Sequence, residues 1–368
     1  MNNHFRYKNL FIFSSLQFIG NIEEYFVHHT EKLVVHIIMP RTNNKYNIVR
    51  LYSKGKLVNE KEMWSTQNIF LYYGSWYLQH LYIIFHYFRR EEKFYVMSFM
   101  PLNFFFGSLQ KIFRPQMQFV FFIADFCPAK TISIILFERV KKYYHDHLLY
   151  ACYLSDILNK IMNGKVVKTK NRKTVMWGVK PKAIRRSANG EKFELLFVGL
   201  IKDSQGLEFF YEFLHHNKNC HINILGVCDE VLYAKHQKII AKYNIREQVY
   251  FPNKFFSDTE VVEVSKKCHA GIALYDIGKK HMTYYTEPGK VKFYAELGLP
   301  IIMSNVSATA VYVEKFHAGE IVKRDMQSII TAIKKIKKNY ASYIAGLKIF
   351  NKYFYYENYY RDKFSFLE

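Results

Sequence analysis

The chain has 368 residues, 50% hydrophobic and 23% charged, with 53 Lys+Arg against 31 Asp+Glu for a formal net charge of +22. That length and apolar content exclude a disordered or fibrous chain and leave room for two domains with cores of their own. The charge implies attraction for polyanions, whether phosphorylated substrates, an anionic membrane surface or nucleic acid, while five scattered cysteines without close pairing fit structural thiols in a reducing compartment.

The opening stretch, MNNHFRYKNLFIFSSLQFIG, has a short apolar run and no small-residue cleavage site, so a cytoplasmic location is expected. Through the first half, strand-type runs at 10–14, 33–39, 47–52, 94–99 and 118–124 alternate with helical stretches, which predicts an α/β domain on a largely parallel sheet. The run 71–88, LYYGSWYLQHLYIIFHYF, is shorter than the roughly 20 apolar residues of a membrane span and contains Gln79, His80 and His86, so it is expected to be a buried or interfacial helix. Gly20 is a candidate for close approach to a ligand, with helix packing as its plain alternative. Asp125, at the end of the strand QFVFFIAD, either faces a ligand or starts a turn before Cys127 and Pro128. His145 and His147 diverge on a helix, and no metal site is expected.

The basic, polar stretch 165–192 reads as a linker, giving domains at 1–170 and 171–340 and a Tyr- and Phe-rich terminal segment at 341–368. Beyond the linker the alternation is cleaner. Strands at 193–198, 221–225, 248–251, 271–274, 299–303 and 320–322 are separated by helices near 206–216, 230–243, 258–267, 289–297, 308–316 and 326–338, which predicts a doubly wound sheet.

Ligands of such sheets sit beyond the carboxyl ends of the strands, and four loops qualify. Gly199 and Gly206 frame the first, where the missing side chain lets backbone approach a diphosphate. Gly226 follows the second strand, and Asn253 the third. The fourth follows the strand ending near Tyr275: a long polar loop runs to Pro288, Gly289 and Lys290, which open a helix with Val291, Tyr294, Ala295 and Leu297 on one face. A helix N-terminus after such a loop offers free N–H groups and the positive end of a dipole to a phosphate, and Lys290 adds a formal charge.

The order Glu287-Pro288-Gly289-Lys290, Tyr294, Gly298-Leu299-Pro300, with the upstream FELLFVG strand, polar loop and Gly206, resembles the donor domain of GT-B glycosyltransferases, most closely the retaining family 4 type. The resemblance implies two Rossmann-like domains facing a cleft, the first binding the acceptor and the second a nucleotide-diphosphate sugar, with the terminal helices crossing back onto the first domain. It implies transfer of a sugar to a hydroxyl, of a lipid-linked or surface-polysaccharide acceptor, at the inner membrane face, with no metal and no cofactor beyond the co-substrate. Lys290, Glu287 and Lys202 are the implied catalytic residues: Lys290 at the β-phosphate, Glu287 at ribose or sugar hydroxyls, and Lys202 as a second cation. Gly199, Gly206, Gly226, Asn253, Tyr275, Pro288 and Gly289 are the implied donor-binding residues. Gly20 and Asp125 are the acceptor-side candidates.

The chain departs from the family pattern at four places. Leu200 and Gln205 stand where many members carry Arg and Lys, and Tyr285 and Phe293 where they carry paired glutamates. The alternatives are therefore a catalytically silent GT-B relative, a nucleotide-sugar epimerase on the same fold, and a nucleic-acid- or polyanion-binding protein resting on charge alone.

Overall fold

The structure is a computed structural model and describes residues 5–14, 21–39, 46–128, 131–184 and 192–368. The chain divides into two compact units, one ending at Gly178 and completed by Tyr356–Glu368, the other Val179–Tyr355.

In the first unit the order is β1 (Tyr7–Ser14), α1 (Asn21–His29), β2 (Thr30–Ile37), β3 (Asn47–Ser53), β4 (Lys56–Met63), α2 (Ile69–Tyr87), β5 (Phe94–Ser98), α3 (Leu102–Gln110), β6 (Met117–Ile123), α4 (Ile132–His147), β7 (Tyr150–Tyr153), α5 (Asp156–Asn163) and β8 (Arg172–Thr174). The sheet order is β4-β3-β2-β1-β5-β6-β7-β8. From β2 to β8 the pairings are parallel, whereas β3 and β4 form an antiparallel hairpin on one edge. Lys54 and Gly55 turn that hairpin with positive φ, the twist that two-residue loops favour. Central strands such as β5, FYVMS, are buried at every position, as a parallel strand covered on both faces must be.

Helix α2 starts where Asn68 accepts the Phe70 and Leu71 N–H groups. Its polar residues Gln79 and His80 lie on the buried side, whereas His86 is exposed. Gln79 accepts from Asn47 Nδ2 at 2.9 Å and donates to the Trp64 carbonyl at 2.6 Å, while His80 Nδ1 meets Gln110 Oε1 at 2.6 Å. Burial holds His36 down at about 3 and His80 at about 4, so both are neutral. Among the described residues no helix is long and apolar enough to cross a membrane.

The second unit runs β9 (Phe193–Val198), α6 (Leu207–His216), β10 (Cys220–Leu225), α7 (Glu230–Lys242), β11 (Val249–Tyr250), α8 (Asp258–Ser265), β12 (Ala270–Ala273), α9 (Gly289–Glu296), β13 (Ile301–Ser304), α10 (Ser307–Lys315), β14 (Gly319–Val322), α11 (Met326–Lys338) and α12 (Tyr340–Phe354). Its strands are all parallel in the order β11-β10-β9-β12-β13-β14. Helix α11 shows how sequence sets this layer. Ile329, Ala332, Ile333 and Ile336 recur at helical spacing and are buried, and its lysines face outward.

Two domain boundaries differ from the expected ones. β8 pairs with β7, so the first sheet extends to Thr174, residues 171–178 stay with the first unit, and the division falls at Gly178, not at residue 170. At the other end α12 stays with the second unit, where Asn351 Nδ2 donates to the Ala295 carbonyl and Phe354 packs on Tyr312. Only the segment from Tyr356 joins the first unit. There α13 (Tyr356–Lys363) sets Tyr360 against Tyr25, its hydroxyl accepting the Gly178 N–H at 2.7 Å, and Phe364 against Phe26.

Candidate functional site

In the second sheet the chain leaves β9 to one side for β10 and later returns on the other side as β12, so the loops following β9 and β12 flank the switch point. Gly199 closes β9 with φ of +108°, and Gly206 precedes α6 with φ of +65°. The loops after β9 and β10 run backbone against backbone: the Gly199 N–H donates to Leu225 O at 3.1 Å and the Ile201 N–H to Val227 O at 3.0 Å. A Cβ on Gly226 would lie 2.0 Å from the Gly199 carbonyl oxygen, so only glycine permits this approach.

Tyr294 anchors α9 to the same switch point. Its hydroxyl accepts from the Val198 N–H and donates to the Ile272 carbonyl, both at 3.0 Å, and a Cβ on Gly271 would strike its ring at 2.2 Å. Helix α9 thereby opens beside Gly199, after Pro288, with no side-chain cap among the described residues. Gly289 is exposed, with open space where a Cβ would stand.

Lys290 is the unusual group. Its ammonium is covered and has no hydrogen-bond partner among the described residues; it lies 3.7 Å from the Phe197 ring centroid and 5.4 Å from that of Tyr275. Its Cε would be 3.9 Å from a Cβ built on Gly199. Burial, with the charge of Lys202 adding to it, lowers its pKa from 10.5 to about 7. The rings offer it their negative faces, but a covered ammonium with no anion is costly unless a ligand supplies one. Lys202 itself is exposed, on a loop pinned by the Gln205 side chain accepting the Lys202 N–H. The structure therefore brings together Lys290, Lys202, Gly199, Gly226, Tyr275 and the start of α9.

Other expected residues have different surroundings. Glu287, expected at a ligand's hydroxyls, is corrected to an interior ion pair. Its side chain is fully covered, 3.1 Å from Lys292 Nζ, and accepts from Thr309 Oγ1 at 2.8 Å. Lys292 in turn lies over the Phe354 ring, and burial lowers it to about 8 against the pull of Glu287. Asn253 points its amide at the neighbouring loop: Oδ1 accepts the Cys228 N–H at 2.9 Å and Nδ2 donates to the Cys228 carbonyl at 3.3 Å. It braces the wall formed by the loops after β10 and β11. Gly206 packs on Leu274, with Arg324 Nε 3.4 Å from where its Cβ would stand. Asp125 follows β6 in the first unit, mostly exposed, with Lys141 Nζ donating to its carbonyl at 3.1 Å. Gly20 lies outside the described residues.

Two residues that sequence reasoning missed stand beside the site. Asp276, directly after Tyr275, accepts from the Gly278 N–H at 2.7 Å and from Arg324 Nη1 at 3.0 Å, while its own N–H donates to Ser204 O at 2.9 Å. These bonds hold its carboxyl below the usual range, the Gly278 N–H foremost. Arg324 and Asp276 are 48 positions apart, and no local pattern marks either one.

No family model matches the sequence, and no curated protein matches it. Solved structures do match over nearly the whole chain. Sucrose-phosphate synthase from Thermosynechococcus elongatus superposes with a TM-score of 0.70 at 13% identity, covering 97% of this chain and 99% of that one. Anabaena HepE in complex with UDP-glucose gives 0.66 at 9%, covering 97% and 98%. The apo form of the lipopolysaccharide outer core galactosyltransferase WaaB gives 0.64 at 14%, covering 98% and 99%. At these identities the likeness is one of architecture, and the chain, with two α/β units each built on a largely parallel sheet, has the fold of the GT-B glycosyltransferases.

Proposed function

We propose that the protein is a glycosyltransferase that moves a hexose from a nucleotide-diphosphate donor, bound by the second unit, to a hydroxyl of a lipid-linked or surface-polysaccharide acceptor, with retention at the anomeric carbon and at the inner face of the cell membrane. The observation that carries this reading is the covered Lys290 ammonium, without a hydrogen-bond partner among the described residues, beside Gly199 at the start of α9. The binding of UDP-glucose by HepE supports the donor class.

On this reading the sugar's C1–O bond breaks with charge growing on the β-phosphate. The Lys290 ammonium and the N–H groups opening α9 neutralise that charge, stabilising the transition state more than the ground state. Lys202 supplies the second cation from the loop where the family's usual Arg and Lys are replaced by Leu200 and Gln205. The leaving phosphate takes the acceptor's proton, so no side chain is assigned as base. Glu287 is assigned no contact with the donor, because Lys292 and Thr309 hold it.

Thermal-shift measurements with UDP, GDP, ADP and their sugar conjugates, on wild type and Lys290→Ala, test the proposal. Selective stabilisation by one nucleotide family that disappears in the variant is expected. Folded wild type that responds to none of them would remove the donor site. Release of nucleotide diphosphate without any acceptor would replace transfer by epimerisation or hydrolysis.

A further inference from the structure

The side of the first unit formed by α2, α3 and α4 is unusually apolar for a surface. On α2, Leu71, Leu78 and Phe85 recur at seven-residue spacing and are exposed. The opposite side of the helix carries the buried residues. Phe105 and Leu109 continue the pattern on α3, with Ile112 and Phe113 in the turn that follows, and Ile132, Ile135, Leu136 and Tyr143 do so on α4. The exposures are large: 75% for Ile112 and 78% for Ile132.

These stripes join into one surface. The Phe85 and Phe113 rings lie 5.9 Å apart, with the Arg114 guanidinium 4.4 Å above Phe85, and link α2 to the turn after α3. A groove of about 420 Å³ lined by Leu102, Phe105, Arg139, Val140, Tyr143 and Tyr144 links α3 to α4. Isolated exposed hydrophobics need no explanation, but a contiguous set on three neighbouring helices marks a contact surface.

Charge selects the occupant. Between Met63 and Phe137 the only acidic residues are Glu91, Glu92 and Asp125. Glu92 is paired with Lys32 at 2.7 Å, and Asp125 lies by Lys141. On α4, Glu138 and Asp146 are paired with Lys141 and Lys142. Exposed Lys111 and Arg139 stand among the apolar tips, with Arg89 and Arg90 just beyond α2. A second copy docked on the same patch would set these cations against their own equivalents in a chain already carrying +22. Aliphatic and aromatic side chains interspersed with exposed cations match the boundary between acyl chains and anionic headgroups.

We propose that this side of the first unit rests on an anionic lipid bilayer, with Leu78, Phe85, Ile112, Phe113, Ile132 and Leu136 among the lipids and Lys111 and Arg139 at the phosphates. The surface is remote in sequence from the Lys290 site and does not depend on the reading of that site as nucleotide-binding. Co-sedimentation with vesicles of phosphatidylcholine alone, or with roughly 30% phosphatidylglycerol as the anionic lipid, tests it on the full chain.

Wild type is expected to bind the anionic vesicles about tenfold or more tightly than the neutral ones, less so as salt rises. Ile112→Ser/Phe113→Ser/Ile132→Ser, at exposed positions, is expected to lose about tenfold in binding with an unchanged melting temperature. Lys111→Glu/Arg139→Glu is expected to abolish the preference for phosphatidylglycerol. Folded wild type that stays in the supernatant, or a serine variant that sediments like wild type, would overturn the proposal. So would a wild-type dimer that ignores vesicles and is dissolved by the serine substitutions, which would give the face to a second copy. Nucleotide thermal shifts in the same samples report separately on the Lys290 site.

Discussion

Replacing Lys290 separates two effects that its side chain combines. Without a bound anion the covered ammonium costs stability, so Lys290→Met is expected to stabilise the free protein by about 1–3 kcal/mol while abolishing the nucleotide-dependent shift in melting temperature. The pH dependence has a definite sign. The free-state pKa is lowered from 10.5 to about 7, so the unfolded chain binds more protons between those values and this group makes free-protein stability rise with pH through that window. A bound diphosphate raises the pKa again. Affinity for the nucleotide should therefore be flat below about pH 7 and fall as pH rises above it; titration calorimetry from acid to alkaline pH checks this, and a level profile in wild type would exclude Lys290 from the anion site. Glu287 makes the contrasting case. Glu287→Ala leaves Lys292 buried without its counter-charge and is expected to cost about 3–5 kcal/mol in denaturant unfolding, with Glu287→Leu/Lys292→Met recovering much of it. A Glu287→Gln variant of unaltered stability but reduced turnover would return this carboxylate to the chemistry.

Elements, rather than single side chains, bring the site together, and the glycines are where elements touch. Gly226→Ala would push a Cβ against the Gly199 carbonyl at 2.0 Å, a contact relieved only by parting the two loops. It is expected to destabilise by about 1–3 kcal/mol and to weaken nucleotide binding at least tenfold, read from unfolding and from calorimetry of the same sample; wild-type affinity would show that the loop after β10 plays no part in binding. The second unit's elements were legible because its strands are near-continuous apolar runs and its helices carry clear faces and caps, such as Ser257 accepting from the Glu260 N–H at the start of α8. The first unit hid β4, β7 and β8. β4, KLVNEKEM, is a charged, exposed edge strand, as an unpaired edge should be, while β7 and β8 have four and three residues, too few to show a period. In the site, the glycines, Lys290 and the start of α9 were readable because backbone geometry and helix polarity act locally. The pairing of Glu287 with Lys292 was not, since a first-turn acid reads alike whether it faces a ligand or the core, and the Asp276–Arg324 bond joins loops that only the fold brings near.

At the scale of the whole molecule, the second unit is continuous in sequence whereas the first is completed by the last thirteen residues, Tyr356–Glu368. Those residues contribute Tyr360, Phe364, Phe366 and Leu367 to the buried interior, packed on Tyr25, Phe26 and Tyr150. Removing them uncovers that aromatic layer and leaves the Gly178 N–H without the Tyr360 hydroxyl that accepts from it. Losing several buried aromatics at about 3 kcal/mol or more each exceeds what a unit of this size can spare. Truncation after Tyr355 is thus expected to unfold the first unit at room temperature, while the second, whose site and core lie entirely within Val179–Tyr355, keeps a cooperative calorimetric transition that a nucleotide still shifts upward. Loss of both transitions together would mean that the second unit depends on the first for its fold. Survival of both would mean that the terminal aromatics cover a core able to close without them.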